Sequence, residues 1–361
     1  MEVGLVGLPQ VGKTALLAAL AGQAAAAAGG GSMKPNVAIA PIPDPRLGTI
    51  TQFIPTRKVV PATIQLVDIP GLQPGAGEAK STANQFLSHV RQVHALAHVV
   101  RCFEDASVAH VKGSLDPRRD IDLIDLELSF ADLAVVENAI DKAGRAARGG
   151  DRDAKARLAV LERAMPVLSE FRPLRTGGPW SEEERRILDG YGMITVKPVL
   201  YVANVGEEDL AGSSAHARAV VELAAERGGR AVCLCAKLEA ELAEFDDAGR
   251  TEMLNSLGLA EPAIGPLARG LNDLLGLSVF YTAGEKEVRA WVIPQGATAP
   301  EAAGAIHSDI QRGFIRAETF SVKDLVRYRS EKAVKEAGRL RSEGKQYVMR
   351  DGDVVHFLFN V

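Results

Sequence analysis

The sequence predicts an α/β fold with a mostly parallel sheet, a helical hairpin inserted into it, and a small α+β module at the C-terminal end. Three observations carry that expectation. Apolar strand patterns alternate with helical ones over residues 1 to about 120 and resume beyond about 193, the rhythm of a parallel sheet. Between them, two long charge-rich helical segments flank Gly149-Gly150, the pattern of an αα-hairpin. From residue 278 the texture shifts to short strand patterns punctuated by glycine. The expected division is therefore 1–120 with 193–277, then 121–192 as the insertion, then 278–361.

The elements follow in order. Val3–Val6 is a short apolar run, and Thr14–Ala21 is rich in Ala and Leu. A buried strand and a helix are expected there. Between them stands Gly7-Leu8-Pro9-Gln10-Val11-Gly12-Lys13-Thr14, a G-x-x-x-x-G-K-T string. In that context it reads as a phosphate-binding loop. The glycines let the backbone turn so that the N–H groups of Pro9–Ala15, proline excepted, face phosphate oxygens. Lys13 brings a mobile positive charge, and the Thr14 hydroxyl suits Mg²⁺. Residues 22–32 are low-complexity Ala and Gly. Further strands are expected at Thr63–Asp68, Ala97–Cys102, Val196–Val202 and Ala231–Cys235, with a helix at 83–94.

In the insertion, helices are expected at about 120–148 and 151–170. Leu126, Leu133, Val136 and Ile140 recur at helical spacing. Arg145, Arg148, Arg152, Lys155 and Arg157 gather near the turn, a solvated face that suits RNA phosphates as well. Ser181-Glu-Glu-Glu opens a short helix with an N-cap and an acidic first turn. In the last module, strands are expected at Val288–Ile293, Phe314–Phe320 and Val354–Phe359, with one helix over Ala299–Gln311.

Composition narrows the function classes. A hydrophobic share of 47% with 24% charged residues suits a protein with a substantial core. The net charge of −4 exerts no global pull on polyanions, so neither DNA nor a membrane surface is an expected partner. No apolar run approaches the length of about 18 residues that a membrane span requires, and the strand pattern begins at once, leaving no room for a signal peptide. Cys102, Cys233 and Cys235 lie in or beside strand-like runs and lack a second pair that would complete a metal site. A cytoplasmic protein with reduced thiols is expected.

Three further strings extend the phosphate loop into a constellation. Asp68-Ile69-Pro70-Gly71 closes a strand pattern as D-x-x-G. An aspartate there holds Mg²⁺, and the Gly71 N–H senses a terminal phosphate. Asn204-Val205-Gly206-Glu207 stands where GTPases carry N-K-x-D. Asn204 retains a two-point hydrogen-bonding amide, but Val205 and Glu207 replace the lysine and the aspartate that reads guanine. Cys235-Ala236-Lys237 follows in the place of a loop that backs the base. Leu72 occupies the position at which many GTPases have a water-orienting glutamine, and leucine cannot do that work. His110, in a polar stretch beyond a strand end, is the candidate to replace it. His89, His94 and His98 read as structural.

Together these residues resemble the YchF/Obg-like ATPase family. The resemblance runs through Pro43-Asp44-Pro45-Arg46-Leu47, Val67-Asp68-Ile69-Pro70-Gly71-Leu72, Asn84-Gln85-Phe86-Leu87 and Val99-Val100-Arg101-Cys102-Phe103-Glu104-Asp105. It continues through Phe280–Gly284, Lys286–Trp291, Gly313–Glu318 and the end of the chain. It implies a P-loop NTPase domain, the inserted hairpin and a C-terminal TGS domain. It also implies ATP as substrate, Mg²⁺ as cofactor, Asn204 as an adenine contact, a hydrolytic role for His110, and association with ribosomes or ribosomal RNA. The chain departs from the family at Gln10 and Thr14, where Asn and Ser are usual. It departs again over 29–34, where Ser32 takes the place of a Mg²⁺-contacting threonine, and over 75–82.

The expected nucleotide-binding set is Pro9, Gln10, Val11, Gly12, Lys13, Thr14, Ala15, Gly71, Asn204, Val205, Glu207 and Ala236. Thr14, Asp68 and Ser32 are expected at the metal, and His110 and Lys13 in catalysis. Two alternatives stay open: a ribosome- or RNA-binding regulator with little hydrolysis, and a GTPase.

Overall fold

The computed structural model describes residues 1–28, 37–69, 79–105, 107–108, 110 and 113–360. Ser32, Gly71, Leu72 and most of the two altered segments lie outside them. Two compact units form, Met1–Ile39 with Gln65–Leu267, and Ala40–Ile64 with Ala268–Val361.

The first unit contains a six-stranded sheet in the order Val37–Pro41, Thr63–Asp68, Glu2–Val6, Ala95–Arg101, Val199–Asn204, Arg230–Leu234. The pairs from Thr63–Asp68 to Arg230–Leu234 are all parallel. Ala95–Arg101 and Val199–Asn204 are buried at every residue, as expected of strands covered on both faces. Val199–Asn204 starts later than the expected Val196–Val202, because Pro198 has no N–H to give a ladder.

The inserted helices are Pro117–Arg148 and Arg152–Ser169. Asp116 and Asp151 cap them by accepting from backbone N–H groups of their first turns, with Pro117 at the first helical position of the longer one. Val136, Leu161, Leu168, Leu174, Trp180 and Leu188 close a separate apolar core beside them. The fully buried Asp132 carboxylate accepts from Ile194 N (3.0 Å), Thr195 N (2.7 Å) and Thr195 Oγ1 (2.6 Å), which fastens the long helix to the chain that returns to the sheet. Asp125 is buried between Arg175 and Arg227.

The second unit is built on the sheet order Arg341–Glu343, Phe314–Ser321, Asp353–Phe359, Leu277–Ala283, Val288–Pro294, Val59–Val60. The core includes Phe280, Ile293, Ala302, Phe314 and Val355. The unit differs from the expected 278–361 by taking in residues 40–64, whose partners lie there. Val59–Val60 pairs with Val288–Arg289. Asp44 caps helix Pro45–Phe53 and accepts the Tyr281 hydroxyl, while Arg46 reaches Asp351. The helix expected over 299–311 is two, Ala299–Ile306 and Ser308–Arg312. His307 interrupts them in an extended conformation (φ −163°, ψ 140°), and its Nδ1 accepts from Asp309 N at 3.1 Å.

Candidate nucleotide site

The expected site residues gather at the carboxyl ends of the parallel strands, the place where open α/β sheets bind ligands. Strand Glu2–Val6 runs into the loop, and helix Lys13–Ala28 leaves it. Positive φ angles at Gly7 (148°), Gln10 (61°) and Gly12 (96°) turn the backbone. The two glycines are sterically required. A Cβ on Gly7 would lie 2.3 Å from Val99 O, and one on Gly12 would lie 2.3 Å from Asn204 Nδ2. Gln10 holds a left-handed conformation that asparagine adopts more readily.

Lys13 is buried, and its Nζ donates to Gly7 O and Leu8 O at 2.9 Å each. Burial pulls its pKa down to about 8, opposed by the nearby Asp68 carboxylate. The ammonium is thus parked on the loop's own carbonyls, in reach of any anion that the loop cradles. Thr14 Oγ1 donates to Asp68 Oδ2 at 3.1 Å across the ends of two adjacent strands. Asp68 Oδ1 is buried and has no hydrogen-bond partner among the described residues. One hydroxyl and one carboxylate, the latter with an unspent buried oxygen, are hard donors of the kind that Mg²⁺ takes when phosphates and waters complete its shell. No cluster of three or more His, Cys, Asp or Glu side chains that could hold a metal by themselves occurs among the described residues.

Asn204 is 4% exposed and works as a clasp. Its Nδ2 donates to Val11 O at 2.8 Å, and its Oδ1 accepts from Ala236 N at 3.0 Å. Val205 N donates to Leu234 O at 2.9 Å. Three loops are thereby held in one register: the phosphate loop, 204–207 and 235–237. Glu207 is exposed and paired with Lys237 at 2.6 Å, so its carboxylate already has a cation. Pro9, Gln10, Thr14 and Ala15 lie along the accessible side of the loop.

His110 lies in the chain between strand Ala95–Arg101 and helix Pro117–Arg148. Its Nε2 is 2.8 Å from Asp120 Oδ2, and both side chains are nearly buried. Sequence reasoning missed Asp120. The Asp116-Pro117 pair marks a helix start and so places Asp120 in its first turn, but no sequence signal shows the imidazole folding back onto it. Arg101 was missed as a site organiser too. Its guanidinium donates to Phe103 O, Asp105 O and Val108 O at 2.9–3.2 Å, pinning the segment that leads to His110. Cys102, Cys233 and Cys235 are free thiols, with Cys102 and Cys235 buried.

Comparison with known proteins agrees with this geometry. A family model described as a 50S ribosome-binding GTPase matches residues 2–138. The YchF-GTPase_C model, described as a protein of unknown function (DUF933), matches residues 277–360. The chain is 45% identical to the ribosome-binding ATPase YchF of Escherichia coli O157:H7 over 362 residues, covering 100% of this chain and 99% of that one. It is 41% identical to the ribosome-binding ATPase YchF of Bacillus subtilis (strain 168), covering 100% of both. The solved structure of the Schizosaccharomyces pombe YchF GTPase superposes with a TM-score of 0.89 at 32% identity, covering 99% of this chain and 97% of that one. With a phosphate loop, a clasping Asn204 and matches that run from end to end, this chain belongs to the YchF family.

Proposed function

We propose that this chain is a Mg²⁺-dependent ATPase that associates with the ribosome in the cytoplasm. The observation that carries the proposal is the convergence of Lys13, Thr14 and Asp68 at the ends of two adjacent strands. The loop amides and Lys13 bind the β- and γ-phosphates. Thr14 and Asp68, with Ser32, would hold Mg²⁺, which supplies charge neutralisation on the phosphates when bound. Gly71 offers its N–H to the γ-phosphate. A water attacks the γ-phosphorus in line, the bond to the β–γ bridging oxygen breaks, and ADP leaves with phosphate. Catalysis is by position and charge, and His110 orients that water and takes its proton in place of the glutamine that Leu72 displaces.

Base choice is argued from the 204–207 loop. Val205 and Glu207 replace the residues that read guanine, and Lys237 already engages the Glu207 carboxylate. That arrangement favours ATP over GTP. The bacterial relatives are named ATPases and the fission-yeast structure a GTPase, so the preference is a direct test. The ribosome enters from the relatives' names and from the hairpin tip, where Arg145, Arg148, Arg152 and Lys155 are exposed. That tip also favours the second reading, a ribosome-binding regulator with little turnover.

Calorimetric titration of nucleotide-free protein with Mg-ATP and Mg-GTP, followed by phosphate-release assays on the wild type and Lys13→Ala, tests the proposal. Tighter ATP binding and loss of turnover in the variant are expected. Unchanged turnover in Lys13→Ala overturns the assignment, and tighter GTP binding overturns the base preference.

A further inference from the structure

We propose that Asp120 is a positioning residue for hydrolysis, fixing the tautomer and direction of His110. The inference rests on the hydrolytic role given to His110 above. A carboxylate has only lone pairs to offer, so at 2.8 Å from Asp120 Oδ2 the Nε2 of the neutral ring carries the hydrogen and donates it. Nδ1 is then the basic nitrogen, the one able to take a proton from an attacking water. Without the carboxylate the ring samples both tautomers and turns about its side-chain bonds. The same logic makes an aspartate behind an imidazole worth orders of magnitude in triads.

The carboxylate is itself held. Asp120 is 3% exposed. Its other oxygen, Oδ1, accepts from Arg119 Nε at 3.3 Å and Nη2 at 3.1 Å. Arg119 also donates to Ser114 Oγ at 3.0 Å and Ser114 O at 2.6 Å. Each oxygen of Asp120 therefore has one task, Oδ1 toward the guanidinium and Oδ2 toward the imidazole. Upstream, Arg101 fastens the same segment through three carbonyls, and its guanidinium lies 4.6 Å from the Phe103 ring centroid. The ring of His110 is thus held by the first turn of the long helix, on a stretch of chain whose preceding carbonyls are fastened by the end of a central strand.

The experiment uses the full chain. Phosphate release under saturating Mg-ATP, calorimetric ATP affinity and thermal unfolding are measured for Asp120→Asn, Asp120→Glu, His110→Ala and the Asp120→Asn/His110→Ala pair. Asp120→Asn should lower kcat by about 10- to 100-fold, the size of loss seen when the carboxylate behind a metal-bound imidazole is removed. ATP affinity should stay within about twofold, and Asp120→Glu should recover much of the rate. In the His110→Ala background, Asp120→Asn should cost nothing further. Near-normal kcat in Asp120→Asn beside a crippled His110→Ala overturns the inference. So does an equal loss in both backgrounds, which marks a merely structural carboxylate. Full turnover in His110→Ala overturns the role of His110 itself, and Asp120 falls with it.

Discussion

The phosphate loop and the base of the helical hairpin belong to the same unit and are held by different chemistry. The loop is a backbone device. Its shape comes from strand end, helix start and two glycines with no room for a Cβ, so Gln10 and Thr14 can replace the usual residues while the turn survives. The hairpin base is a side-chain device. Asp120, Asp125 and Asp132, all on the first half of helix Pro117–Arg148, reach His110, Arg175 with Arg227, and the 194–195 backbone. A buried carboxylate of this kind depends on every partner, because a lone buried charge or donor is far more costly than the pair is stabilising. A site written in backbone turns drifts in sequence safely, whereas one written in buried ion pairs does not.

The largest effect should come at the side-chain device. Asp132→Ala strands two backbone N–H groups and the Thr195 hydroxyl in a buried place, and should cost about 3–5 kcal/mol. Denaturant unfolding checks this, and a loss under about 1 kcal/mol would erase the contrast between the two regions. Gly12→Ala probes the backbone device. Its Cβ would displace the Asn204 amide, and phosphate release should fall by roughly a hundredfold or more, with an unfolding midpoint lowered by less than in Asp132→Ala.

An intermediate effect is expected at His98, a central-strand residue 2% exposed, with its ring 5.8 Å from that of Tyr201. Burial depresses its pKa to about 4. The unfolded chain therefore takes a proton that the folded chain refuses, and stability should fall as pH drops from about 6.5 toward 4, by on the order of 3 kcal/mol. Unfolding curves of the wild type and His98→Gln across that window should converge as the pH is lowered. Parallel curves would assign the acid sensitivity to the carboxylates instead. The smallest effect is at Gln10. Asparagine tolerates the left-handed angle better, and Gln10→Asn should stabilise by about 0.5 kcal/mol, read from paired unfolding midpoints.

The same contrast explains what was legible in the sequence. The strand Thr63–Asp68, the phosphate loop and the ordered strings at 204–207 and 235–237 were plain, because local spacing and turn chemistry encode them. The hairpin helices were legible to within a few residues, since Gly149-Gly150 separates them and Leu126, Leu133, Val136 and Ile140 keep helical spacing. The work of Asp120 and Asp132 was not, because it depends on which distant atoms the fold delivers; Asp132 and Thr195 are 63 positions apart. The placement of residues 40–64 was missed for the same reason: Asp44 needs Tyr281, and Val59 needs Val288. The break at His307 was missed because one extended residue whose ring caps the next helix resembles continuous helix in periodicity alone.

The long helix has a mechanical meaning as well. At 32 residues it spans about 48 Å. The exposed cations Arg145 and Arg148 ride at one end and Asp120 at the other. Such a rod is a lever. Asp132 clamps it near its middle, so a tilt of about 5° about that clamp moves the Asp120 end, about 18 Å away, by roughly 1.6 Å, enough to stretch the 2.8 Å contact between carboxylate and imidazole. A load applied at the tip would therefore be felt at the contact between Asp120 and His110.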